Sequence, residues 1–149
     1  MKNQMKKNHL LNTFQSTNQN MTSDIKCLYL WKMWYEAEPD NKYVLEAKER
    51  MAQYSKEDWA FMAEEATLMM EQMGEVVKSN LGEIPEHLFD MLCSHLSNWF
   101  FAVNKEVVDV LAFHSMFVPE YQSFLNKYAD GLNLYMYRMC KRYVHKVPN

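Results

Sequence analysis

Five histidines, three cysteines and twenty-one aromatic side chains are the groups through which this chain could do chemistry, and their spacing favours recognition over reaction. A helix-borne metal site needs paired ligands one turn apart, yet no His-Glu-x-x-His run occurs and no histidine has Glu three positions before it. Cys93 and His95 stand two residues apart, which points them to different faces of a helix. The three glycines, Gly74, Gly82 and Gly131, are too dispersed for a phosphate-cradling loop or a dinucleotide fingerprint, and no serine occupies a nucleophile elbow. No group of residues takes acid, base and nucleophile roles, so an enzyme is the least favoured reading, and no metal or cofactor is expected. An axial haem ligand from His95 or His114 stays open as an alternative, although a lone histidine on an apolar face is more often a core residue with a satisfied ring nitrogen.

Binding chemistry is better represented. Most of the aromatics and many of the thirteen methionines fall between Trp59 and Tyr143 at helical spacing. Aromatic rings offer broad faces with polar tips, and unbranched, polarisable Met side chains can repack, so such an interior could accommodate an apolar guest. A core that merely uses these residues is the competing explanation.

The length of 149 residues suits one domain with a sizeable core. Three lysines precede Asp24 in a chain whose net charge is −3, so the remainder carries −6 and should attract neutral or cationic ligands; direct nucleic-acid binding is not expected. Cys27, Cys93 and Cys140 are odd in number and widely spread, which fits reduced thiols rather than a disulfide framework. The basic start runs into Asn, Gln, Ser and Thr instead of the apolar stretch of a signal peptide. Trp99 to Val103, the longest apolar run, falls far short of the ~20 residues a bilayer span requires. These features together predict a cytoplasmic protein without a membrane partner.

Residues 1–23, rich in Asn, Gln, Ser, Thr and Lys, read as a mobile polar tail or as a weak helix that orders on a partner. From residue 24 to 146 the pattern is helical. Leu28, Trp31, Met33 and Trp34 precede the turn Glu38-Pro39-Asp40-Asn41, and a second helix follows over Lys42 to Tyr54. Ser55 can accept from the Asp58 amide, starting a helix whose Trp59, Met62, Ala63, Ala66, Met69, Met70, Met73 and Val77 form one face. Gly74 sits inside it as a tolerated cost, and Asn80-Leu81-Gly82 stops it. Pro85 opens a helix bearing Leu88, Leu92, His95, Leu96 and Trp99; Asn104 caps the next, which runs to Phe117. Pro119 opens a short helix broken at Ala129-Asp130-Gly131, and a last one begins at Leu132. The pattern is all-α, about six helices.

Tyr54-Ser55-Lys56-Glu57-Asp58-Trp59, preceded by Glu46-Ala47-Lys48-Glu49-Arg50, resembles the Tyr-Thr-Lys-Glu-Asp-Trp signature of the TipAS domain, the thiostrepton-recognition half of certain MerR-type regulators. His95 followed by Trp99-Phe100, then Lys105-Glu106, Met116-Phe117-Val118, Phe124 and Asn126-Lys127-Tyr128-Ala129-Asp130-Gly131-Leu132 continue the likeness in order over residues 42–143. The resemblance implies a compact, globin-like helical domain without haem, whose cleft binds bulky, largely apolar antibiotics or other drugs. About forty residues precede it, too few for the family's winged helix and dimerising helix, so a stand-alone binder or a divergent relative is expected. Some relatives trap a dehydroalanine-containing ligand through a cysteine just after the Trp-Phe element; here that loop reads Phe101-Ala102-Val103-Asn104, which implies non-covalent capture.

On this reading planar or macrocyclic ligand faces stack on Trp59, Trp99, Phe100, Phe113 and Phe117, Met62, Met69 and Met116 adjust to their contours, and His95, Tyr121 and Tyr128 supply orienting hydrogen bonds. The expected partner is a bulky apolar, antibiotic-like small molecule. The alternative is a helical protein–protein interaction or regulatory module with no small-molecule ligand, working through a homodimer or a regulatory protein partner that could itself carry the DNA-binding function.

Overall fold

The computed structural model describes residues 29–80 and 82–149. Among them are seven α-helices and no strand: α1 Tyr29–Ala37, α2 Lys42–Met51, α3 Lys56–Lys78, α4 Glu86–Trp99, α5 Lys105–Phe117, α6 Pro119–Asn126 and α7 Leu132–Tyr143, followed by a 3₁₀ turn at Val144–Lys146. The all-α reading therefore holds. The polar segment 1–23 and the start of the first apolar cluster lie outside the described residues. None of the seven helices is long and apolar enough to cross a membrane.

Local chemistry explains each boundary. The Glu38 amide donates back to the Trp34 carbonyl (2.7 Å), and the Asn41 side chain accepts from the Tyr43 amide (2.9 Å), stopping α1 and capping α2 across the Pro39 turn. Ser55 and Asp58 form a reciprocal capping box: the Asp58 amide donates to Ser55 Oγ (3.1 Å) and the Ser55 amide to Asp58 Oδ2 (2.9 Å). Asn104 caps α5 by accepting from the Val107 amide at 3.0 Å. After α3 the chain turns through Asn80 at φ 57° and Gly82 at φ 85°, and Gly131, at φ 86°, makes the left-handed step into α7.

The described residues form two compact units, those up to 67 together with 99–101 and those from 68 to 98 together with 102–149. In the first, Trp34, Tyr43 and Phe101 meet at centroid distances of 5.6 to 6.0 Å, and the buried Trp31 indole donates to the Val44 carbonyl at 3.1 Å. Trp34 turns its own indole N–H to Glu38 Oε2 (2.7 Å), so both rings bury their faces without orphaning a donor. In the second unit α5 packs along α7 and against α6, with Val107, Leu111, Leu125, Leu132, Met136 and Cys140 almost fully enclosed. Lys146 ties the 3₁₀ turn to α4 by reaching Glu86 (2.6 Å) and Asp90 (2.7 Å), while the Lys105 amide donates to the Pro148 carbonyl. Met62, Ala63, Ala66, Met69, Met70 and Met73 are all buried, as the stripe of α3 predicted.

Gly74 is not the mere tolerated cost that its place in a helix suggests. A Cβ there would stand 2.9 Å from the Tyr128 carbonyl oxygen and 3.3 Å from its carbon, so the missing side chain is what lets the end of α6 approach α3. Backbone atoms cannot rotate aside. Gly74→Ala is expected to lose up to about 2 kcal/mol net, because overpacking of ~1–3 kcal/mol against a backbone carbonyl outweighs the ~1 kcal/mol that Ala gains in a helix. Thermal denaturation should show a midpoint several degrees lower, and a raised midpoint would refute the close approach.

Candidate functional site

Trp99 stands at the C-terminal end of α4, where the last carbonyls of a helix lack intrahelical partners. Its carbonyl accepts a short hydrogen bond from the Tyr54 hydroxyl. Tyr54 is the residue just before the capping box of α3, so the geometry that starts one helix also supplies the donor that finishes another. Burial raises the Tyr54 pKa above its ordinary value and nearby Asp58 adds to the rise, with Arg50 opposing; the hydroxyl is thus held in its donating form.

Around this tether lies an aromatic cluster. Tyr54 meets Trp59 edge-on at 5.8 Å and Trp99 edge-on at 5.5 Å, while Phe61 lies 6.0 Å from Trp99 at a 45° tilt. Trp99 Nε1 donates to Glu65 Oε1 at 3.1 Å, so its main chain is held by Tyr54 while its ring is held at the indole edge by Glu65 and packed edge-on against the Tyr54 ring. Trp59 and Trp99 are half-buried and Phe61 is 60% exposed, which leaves aromatic surface available for stacking. Phe61 was not anticipated as a site residue because it lies off the apolar stripe of α3. A large aromatic among the glutamates of the solvent face was the signal that could have revealed it.

A second set lies on α5 and α6. Phe113 and Phe117, one turn apart, hold their centroids 5.3 Å from each other and are 55% and 64% exposed. Behind them the rings run inward in sequence: Phe113 beside His114, His114 edge-on to Tyr121, Tyr121 against Phe124, and Phe124 edge-on to Tyr128. His114 Nδ1 donates to the Val110 carbonyl at 2.8 Å, the satisfied condition of a core histidine. Tyr121 is enclosed, and burial pushes its phenol well above the usual range, so it stays neutral.

Of the eleven residues expected to bind, Met62, Met69, His95, Phe100 and Tyr121 are buried, Trp59, Trp99, Met116 and Tyr128 are half-buried, and Phe113 and Phe117 are exposed. Trp59 and Trp99 come together through Tyr54, and Phe113 pairs with Phe117; Met62 and Phe100 belong to the first unit, and Met69, His95, Met116, Tyr121 and Tyr128 to the second. An open polar cavity of about 420 Å³ lies by the turn after α6, lined by Val77, Lys78, Asn126, Lys127, Tyr128, Ala129 and Asp130. Among the described residues no three His, Cys, Asp or Glu side chains converge as a metal ion needs.

The capping box, the Tyr54 tether and Trp59 all come from the motif that carried the family resemblance. A sequence profile of the TipAS antibiotic-recognition domain matches residues 32–143. The chain belongs to the TipAS family. The match takes in most of α1 and the whole of α2 to α7, ten residues further toward the N-terminus than the resemblance read from Lys42 onward. TipAS is a ligand-recognition family, so the aromatic clusters sit in a domain of binding type. No curated protein and no solved structure matched the chain.

The two thiols among the described residues, Cys93 and Cys140, are poor nucleophiles. Cys140 is enclosed and burial drives its pKa far up, while Cys93 is pushed up to about 11, first by burial and then by Asp90, with Lys146 opposing. Both remain protonated near neutral pH, and it is the thiolate that attacks. Iodoacetamide at pH 8 should alkylate Cys93 about tenfold or more slowly than free glutathione, read by peptide mass spectrometry. Equal rates would show a thiol poised for covalent capture.

Proposed function

We propose that this TipAS domain, taken as residues 24–146, binds bulky, largely apolar or aromatic small molecules of the peptide-antibiotic kind, reversibly and without a covalent bond, to sequester or sense them. The observation that carries the reading is the tethered aromatic surface of Trp59, Phe61 and Trp99 in a member of an antibiotic-recognition family. Planar faces of the ligand stack on Trp59 and Trp99, with Phe61 at the edge. Within the first unit the enclosed Met62 and Phe100 adapt by repacking. The second unit offers apolar surface of its own at Phe113, Met116 and Phe117, where the enclosed Met69 and Tyr121 adapt and His95 and Tyr128 orient polar groups. The raised pKa values of Cys93 and Cys140 support reversible rather than covalent binding at these two thiols.

Fixing Trp99 before the ligand arrives matters energetically. A ring already held by its indole N–H and packed against Tyr54 loses little rotamer freedom on binding, so more of the stacking energy appears as affinity. Calorimetric titration with a thiopeptide antibiotic should give saturable binding that falls about 30-fold in Trp99→Ala, the ~2 kcal/mol of a binding hot spot, while helical circular dichroism is retained. Unchanged affinity in the folded variant would remove Trp99 from the site. No binding across a panel of peptide antibiotics would favour the interaction-module reading instead.

A further inference from the structure

The outer face of α5 carries more than the ring pair. Its buried positions, Val107, Val108, Leu111, Ala112, His114 and Ser115, all turn toward the core. By the 100° step of the helix the opposite face holds Glu106, Asp109, Val110, Phe113, Met116 and Phe117 in that order along the axis. Acid therefore occupies one half of the face and exposed apolar surface the other, with Lys105 at its edge one turn before Asp109 and the two carboxylates outnumbering it. Among the described residues no lysine or arginine pairs with Glu106 or Asp109. Lys141 of the adjacent α7 lies over the Tyr137 ring, and Arg142 reaches Glu83.

We propose that this face of α5 is a binding surface for a cationic, aromatic small molecule, whose planar part lies on Phe113 and Phe117 and whose positive group meets Asp109 and Glu106. Spacing sets the shape of the ligand. At a 1.5 Å rise per residue, Asp109 stands about 6 Å and Glu106 about 10 Å along the axis from Phe113, so the charge belongs roughly that far from the apolar centre. Area argues against a second copy of the chain as the occupant. Two partly exposed Phe rings present on the order of 250 Å², well below the ~800 Å² per partner of a stable protein interface but enough to cover one flat aromatic system. Two carboxylates beside that patch repel anions and draw cations, an attraction that salt screens.

The inference rests on the small-molecule reading of the domain and adds a charge requirement to it, at residues separate from Trp99. Its test uses three probes sharing one fluorophore: pyrenylmethyl-trimethylammonium, neutral pyrenemethanol and anionic pyrenebutyrate, titrated into the full chain by fluorescence anisotropy. At 20 mM salt the cation is expected to bind about fivefold tighter than the neutral probe, with the preference shrinking to about twofold or less at 300 mM. Glu106→Gln with Asp109→Asn should abolish the preference and leave the neutral probe unaffected. Phe113→Ser with Phe117→Ser, at exposed positions, should weaken cation and neutral probe alike by about tenfold. Equal binding of cation and neutral probe by the unaltered chain, or a preference that survives the Gln/Asn variant, overturns the charge requirement while a thiopeptide titration can still support the broader reading. Undiminished binding in the Ser variant, absence of binding by every probe, or a concentration-dependent dimer that the Ser variant dissolves overturns the surface itself.

Discussion

Tyr54 joins two points of the chain 45 residues apart by one hydrogen bond, from its hydroxyl to the carbonyl of Trp99. Everything proposed for the first aromatic cluster depends on it. A carbonyl at a helix end must find a donor or remain exposed to water, and a tyrosine that supplies one also brings its ring against the tryptophan it anchors. The Ser55–Asp58 capping box fixes where Tyr54 stands, because it sets the residue at which α3 begins. One short motif thereby starts a helix, ends another and orients the ring most suited to stacking.

This explains why the family signature is recognisable at all. Tyr, Ser, Asp and Trp at positions 54, 55, 58 and 59 each have a separate physical duty: main-chain donor, cap acceptor, reciprocal acceptor and aromatic neighbour. Lys56 and Glu57 between them are exposed. In the second unit the corresponding economy lies at Gly74 and Gly131, one allowing a carbonyl to approach and the other a left-handed step into α7.

Much of the fold was legible in the sequence because its signals were local. The caps at Ser55 and Asn104, the stops at Asn80 and Gly131 and the buried stripe of α3 all follow from neighbouring residues and a 3.6-residue period. The candidate site was less so. A period identifies which residues of a helix are apolar, but not how far each is enclosed, so buried Met62 and Phe100 read the same as exposed Phe113 and Phe117. Phe61 and the Tyr54 tether were missed for a related reason: one interrupts the pattern, and the other depends on a pairing across distant segments that no local spacing encodes. Gly74 belongs with these, since only the proximity of the Tyr128 carbonyl reveals its role.

The four tryptophan indoles provide a built-in comparison for the central claim. Trp31 and Trp34 are buried and donate to the Val44 carbonyl and to Glu38, whereas Trp59 and Trp99 belong to the half-buried cluster around Tyr54. The most direct measurement is a nitrogen-15 NMR titration of the indole N–H resonances with a peptide antibiotic. Saturable shifts of Trp59 and Trp99, with Trp31 and Trp34 unmoved, are the expected result. Stationary Trp59 and Trp99 signals under saturating ligand would contradict the account.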